Sequence, residues 1–243
     1  MCRLGERGRK DQVRDCRGRQ DGKHQKGWFI MLQSTFEFDD RDTGKVVRVA
    51  GYYHDEYYGM SSPNNRIRFV NVLKNDRRNT PSEVISQNEK LLAAAIRSDL
   101  ERITQKHGRL TLCGVPRSKR ESSYPWDKMG LKRALRQAAA ENPLLDDGLD
   151  FIVRHTDTRC THRDRWGYGG AGELPRPGLI QDTCYLSDEI AGKDVLLIDD
   201  IYTPNCGIDE DAICAVLNAG AKSVVFYAIG YTVGRAGGYR RCA

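Results

Sequence analysis

The stretch that most limits how this chain can fold runs from residue 194 to 207, Asp194-Val195-Leu196-Leu197-Ile198-Asp199-Asp200-Ile201-Tyr202-Thr203-Pro204-Asn205-Cys206-Gly207. Four aliphatic side chains in a row leave no face for water, so they read as a strand covered on both sides, as in a parallel sheet. Two carboxylates follow at its C-terminal end, then a tight loop, then a helical pattern over 208–219. A pair of acceptors is thus joined to a loop whose amides, backed by a helix dipole, suit an anion. Carboxylates so placed accept hydrogen bonds from sugar hydroxyls or orient a hydrated Mg²⁺. Equally, Asp199 and Asp200 do no more than cap a turn, as aspartate often does.

The rest of the chain supplies neighbours for such a strand. Apolar runs over 110–115, 149–153 and 223–229 read as further strands, separated by helical patterns over 81–107, 128–141 and 208–219. That alternation predicts an α/β fold, a parallel sheet flanked by helices, with ligands taken beyond the C-terminal strand ends. Thr80 or Ser82 is the expected cap of the long helix and Gly108 its stop. Upstream, 29–38 and 46–53 are rich in β-branched and aromatic residues and flank the turn-forming Asp39-Asp40-Arg41-Asp42-Thr43-Gly44, which predicts a hairpin. The run 67–73 after Ser61-Ser62-Pro63-Asn64-Asn65 predicts a third strand, completing a small N-terminal antiparallel segment. Tyr52, Tyr53, Tyr57 and Tyr58 suit packing in such a sheet; stacking on a base is the alternative.

These readings divide the chain into a basic leader over 1–27, an N-terminal β segment over 28–80, an α/β domain over 81–235 and a tail over 236–243. Residues 1–27 hold nine Lys/Arg against four Asp/Glu, five of the chain's six net positive charges, and almost nothing that can enter a core. This reads as a disordered leader, or as sequence upstream of a start at Met31; a nucleic-acid-binding arm is the weaker alternative. Hydrophobic residues make up 39% of the chain, enough for a packed core, yet no apolar run approaches the roughly 20 residues of a membrane span. A cytoplasmic location without membrane contact is expected. The eight cysteines are scattered with no CxxC pair, which predicts reduced thiols; Cys160-Thr161-His162 lacks a second pair of ligands, so no structural zinc is expected.

With those residues in view, the segment from Asp199 to Gly207 resembles the phosphate-binding motif of the type I phosphoribosyltransferase family, and the order of elements is similar to its competence-F-like and amidotransferase-like branches. Asp199 and Asp200 match the family's acidic pair, Ile201 and Tyr202 its apolar pair, and Thr203 its first loop hydroxyl. The resemblance implies that Thr203, Pro204, Asn205, Cys206 and Gly207 hold the 5-phosphate of phosphoribosyl pyrophosphate (PRPP). Where the family has a second hydroxyl and a glycine, this chain has Pro204, which lacks an amide donor, and Asn205, which tolerates left-handed backbone. It also implies that Arg117, Ser118 and Lys119 meet pyrophosphate, and that Arg159, Arg163 and Arg165 belong to a long loop closing over PRPP. His162 in that loop is an acid–base candidate or a solvated side chain.

The activity implied is displacement at ribose C1, with pyrophosphate leaving and Mg²⁺, indirectly held by Asp199 and Asp200, as cofactor. The acceptor would be chosen by a separate hood, either the N-terminal sheet or the 168–185 insertion. A homodimer is common in the family. Two other readings stand beside transfer: a repurposed member acting as a toxin or regulator of nucleotide metabolism under a protein partner such as an antitoxin, and nucleic-acid binding through the leader and the arginine-rich loop.

Overall fold

In the computed structural model of the chain, residues 32–39, 46–59, 62–74, 80–160, 172–204 and 206–233 are described. The basic leader, the 236–243 tail, Met31, His162, Arg163, Arg165 and Asn205 lie outside them.

The expected hairpin is β1 (Leu32–Asp39) against β2 (Val46–Tyr57), antiparallel from Leu32↔Tyr53 to Asp39↔Val46. It does not form a sheet of its own. Beyond it come α1 (Arg68–Lys74), α2 (Ser82–His107), β3 (Leu110–Gly114), α3 (Gly130–Ala140), β4 (Leu145–Asp147), β5 (Ile152–Arg154), α4 (Leu179–Thr183), β6 (Cys184–Leu186), β7 (Asp194–Tyr202), α5 (Ile208–Asn218) and β8 (Ser223–Thr232). One six-stranded sheet has the order β1-β2-β8-β7-β3-β4, parallel throughout except for β1, and β5 pairs with β6 in a separate antiparallel ribbon. The fold is α/β, five parallel strands flanked by helices.

Three expectations are corrected. The run 67–73 is not a strand but leads into helix α1. Asn65 Oδ1 accepts from Ile67 N–H, turning the chain, and Ile67, Val70 and Leu73, three residues apart, are all buried together. Neither Thr80 nor Ser82 caps α2: Pro81 holds the cap position with no side-chain bond, and the Ser82 hydroxyl donates to Glu83 instead. Gly108, at φ 81°, does end the helix. The run 149–153 is not a strand of the main sheet. β4 takes that place beside β3, and Gly148 N–H donates to Leu112 O as the chain turns away. A Cβ at Gly148 would lie 2.7 Å from Thr111 Cγ2, so the turn needs glycine.

The sheet is buried on both faces, which is why β7 reads as unbroken aliphatic sequence. One core gathers Leu196, Ile198, Val225 and Tyr227 under α1, α2 and α3; the other gathers Val195, Leu197, Phe226 and Ala228 with Ala212 and Val216 of α5. Each such aliphatic side chain contributes about 1.5–3 kcal/mol. A polar knot pins α2 to the first face: Asp99, fully buried, accepts from Tyr227 Oη at 3.0 Å and pairs with His54 Nδ1 at 2.7 Å.

The alternation of faces slips by one where β7 reaches its carboxylates. Leu196 and Ile198 enter the first core and Val195 and Leu197 the second, yet Ile201 packs on the first and Tyr202 on the second. On β8 the same slip separates Ile229 from Tyr231, and on β2 it separates Tyr53 from Tyr57. The pairing register is unchanged across it, with Ile198↔Tyr227 and Ile201↔Gly230, so the three strands deviate together. Irregularities of this kind re-aim side chains at strand ends, and here the affected residues include Asp199 and Asp200.

Candidate functional site

The two carboxylates belong to β7 itself, which continues past Ile198 because β8 pairs with it as far as Tyr202↔Tyr231. Asp199 is half-buried and accepts the Asp200 N–H at 2.7 Å; Asp200 is buried. The first turn of α5, Asp209-Glu210-Asp211, folds back onto this strand end. Asp209 is 3% exposed and hydrogen-bonded to Asp199. Burial, followed by the negative charge of Asp199 and Glu210, holds its carboxyl well above the usual range. Glu210 accepts from the Tyr202 hydroxyl at 2.8 Å, and burial with that neighbour pushes the phenol's pKa up. Asp211 takes Gly178 N–H at 2.5 Å and Ile180 N–H at 2.7 Å, fastening the start of α4.

The expected phosphate loop therefore meets a helix start whose dipole already faces the chain's own carboxylates. Its donors are partly committed. The Thr203 hydroxyl bonds to that of Thr232 on β8 at 2.8 Å, Cys206 N–H goes to Thr203 O at 3.2 Å, and Pro204 has no amide to give. Gly207 stands at φ 76° before α5.

The second loop begins where β3 ends, with Val115 N–H still paired to Ile198 O. Arg117 lies over the Tyr124 ring, 4.2 Å from its centroid, and donates to Lys128 O at 2.7 Å. Lys119 Nζ donates to Thr158 O at 3.1 Å and stands 3.7 Å from the Asp157 carboxylate. Ser118 O accepts from both the N–H and the hydroxyl of Thr158, and Arg154 Nε donates to Arg117 O at 2.5 Å. The loops expected at 116–119 and from 154 onward are thus laced together. Arg159 N–H continues the lacing to Glu173 O, and Gly172, at φ 121° against Thr158 backbone, has no room for a side chain.

Two hollows follow. A cavity of about 90 Å³ has Arg117, Lys119, Lys132, Arg154 and Asp199 in its wall. An open depression of about 380 Å³ lies across Lys119, Arg120, His155 and Asp157, with the His155 ring centred 4.4 Å from that of exposed Tyr185 and tilted 45° to it. Comparison with protein families and with curated proteins finds no match to this chain. The chemistry of the site thus rests on its own geometry.

Of the expected residues, Asp199, Arg117 and Lys119 meet in one cavity wall; Ser118 and Arg159 lie in the laced loops; Asp200, Thr203, Pro204, Cys206 and Gly207 line the β7–α5 connection; Arg163 and Asn205 lie outside the described residues. Sequence reasoning missed Asp209 and Arg154. The signal for Asp209 was a run of three acids at a helix start, more than a dipole requires, and the signal for Arg154 was a cation directly after the apolar Ile152-Val153. Among the described residues, no group of three His, Cys, Asp or Glu is arranged to hold a metal. The acidic pair suits only the mode usual for Mg²⁺, one or two carboxylates with water and substrate phosphates completing the shell. Among the described residues no helix is long and apolar enough to cross a membrane.

Proposed function

We propose that this chain is a phosphoribosyltransferase-like protein that binds PRPP or a ribose-5-phosphate nucleotide with Mg²⁺ and transfers or removes the phosphoribosyl group at C1. The observation that carries the reading is one wall holding the Asp199 carboxylate with Arg117 and Lys119, at the carboxyl ends of the adjacent parallel strands β7 and β3. Ligands of open α/β sheets bind at such strand ends. Asp199 and Asp200 would accept from the ribose hydroxyls. Arg117 and Lys119 would face the leaving pyrophosphate, and the laced 154–160 segment would limit water. Bound Mg²⁺ would neutralise phosphate charge as pyrophosphate departs.

A second reading, a protein that binds such a ligand and acts on a partner without turnover, is favoured by one observation: Asp209 and Glu210 occupy the α5 start where a 5-phosphate would sit. Calorimetric titration of PRPP with Mg²⁺ into the wild type and Asp199→Asn/Asp200→Asn, with a parallel assay of pyrophosphate release across candidate bases and amines, separates the readings. Binding lost in the variant and release with an acceptor support transfer. Binding without release supports the second reading, and no binding by folded wild type sinks both.

A further inference from the structure

We infer that the cavity at the carboxyl end of β3 is a binding site for a short organic carboxylate, held by Arg154. The side chain is 4% exposed, yet among the described residues it forms no ion pair. Its Nε is used on Arg117 O and its Nη1 once on Thr183 Oγ1 at 2.5 Å, while Nη2 has no partner. Burial lowers the guanidinium's pKa, outweighing the more distant charges of Asp211 and Asp157. The remaining hydrogens of Nη1 and Nη2 form a planar fork, which matches the two oxygens of a carboxylate.

The other charges of the wall are already engaged. Lys132 is held by Glu121 and Asp150, each at 2.6 Å, Arg117 by Lys128 O and the Tyr124 ring, and Lys119 by Thr158 O and Asp157. Lys128 adds a further cation to the wall. Among the described residues Asp199 and Glu121 are its only acids, and Asp199 is hydrogen-bonded to Asp209. Opposite these groups the lining is apolar: Met129, Leu131, Leu135, Leu149 and Ile152. One open guanidinium fork beside an aliphatic wall selects a single carboxylate on an apolar chain over a phosphate, which needs donors on several sides. The volume of about 90 Å³ is below the ~150 Å³ that admits benzene, so a short aliphatic acid is the size that fills it.

This site shares the wall of Asp199, Arg117 and Lys119 with the ribose-phosphate reading but turns on Arg154, which that reading does not use. Butanoate, and butanamide as its neutral isostere, are titrated calorimetrically into the full chain without PRPP or Mg²⁺. Saturable butanoate binding is expected, with butanamide about tenfold weaker or more. Arg154→Met should abolish it. If that variant does not fold, Gly114→Val decides, since a Cβ at Gly114 meets only Leu149 Cδ2 within 4 Å, at 3.7 Å, and its methyls fill the cavity while Arg154 stays in place. The proposal is overturned by absent butanoate binding, by binding indifferent to Gly114→Val, or by inorganic pyrophosphate displacing butanoate at lower concentration. Failure of PRPP to bind in the separate titration leaves this result untouched, and the reverse holds.

Discussion

Replacing Asp209 by asparagine keeps the size of the side chain and a donor toward Asp199 while removing the ionisable proton. In the folded chain the Asp209 carboxyl is held well above its ordinary value near 3.8, first by burial and then by Asp199 and Glu210. A raised folded pKa means that the stability this group contributes is fully present below the unfolded value and is lost as pH rises toward the folded one. From about pH 4 upward, the unfolded chain ionises Asp209 freely while the folded chain, with the side chain 3% exposed, does not. Within that window each pH unit weakens the wild-type folding constant by about tenfold through this group alone. Asp209→Asn escapes that loss. Urea unfolding followed by circular dichroism from pH 4 to 7 should show the two proteins near parity at the acid end and the variant gaining steadily toward neutrality. The substitution also removes the charge that Asp199 faces, so the difference reads the Asp209–Asp199 pair together. A difference that stays flat across the range would refute the raised Asp209 carboxyl.

Other predictions rest on separate features. Tyr227→Phe removes one of two partners of the fully buried Asp99 and should cost about 1–3 kcal/mol in urea unfolding; a cost within error of zero would mean the hydroxyl contributes nothing to pinning α2. Gly148→Ala forces a Cβ to within 2.7 Å of Thr111 Cγ2 and should destabilise by about 1–3 kcal/mol, and an unchanged urea midpoint would contradict the tight turn. Burial pushes the Cys113 thiol up to about 12 and raises that of Cys184 as well, whereas Cys160, Cys206 and Cys214 are partly exposed. Brief alkylation of the native chain at pH 8, read by peptide mass spectrometry, should therefore modify the latter three first; early labelling of Cys113 would argue against its place in the core.

Much of the sheet was legible because burial on two faces leaves a local mark. The aliphatic run at 195–198 and the alternation of apolar strands with helical patterns specify β7, β3, β8, α2, α3 and α5 within a few residues. Where the local mark was ambiguous, the reading went astray. Ile67, Val70 and Leu73 satisfy a helical period and also count as a short apolar run, and the Asn65 turn decides between them. Around Gly148 the apolar run 149–153 loses the place beside β3 to Leu145-Asp146-Asp147, which carries no apolar run, and the turn between them leaves no room for a Cβ against Thr111 across the sheet.

By itself the sequence determined the α/β class, the carboxylate pair at a strand end and the cations near the end of β3, because each follows from periodicity or composition within a dozen residues. Only the tertiary structure decided that the N-terminal hairpin joins the main sheet through β2 and β8, and that Asp209 turns back to hydrogen-bond Asp199. It also decided that Arg154 is buried beside Arg117 and Lys119 with no ion pair among the described residues. Each of these joins residues far apart in the chain or across a loop. Their energies depend on burial and on neighbouring charge, quantities that exist only once the sheet has closed over them.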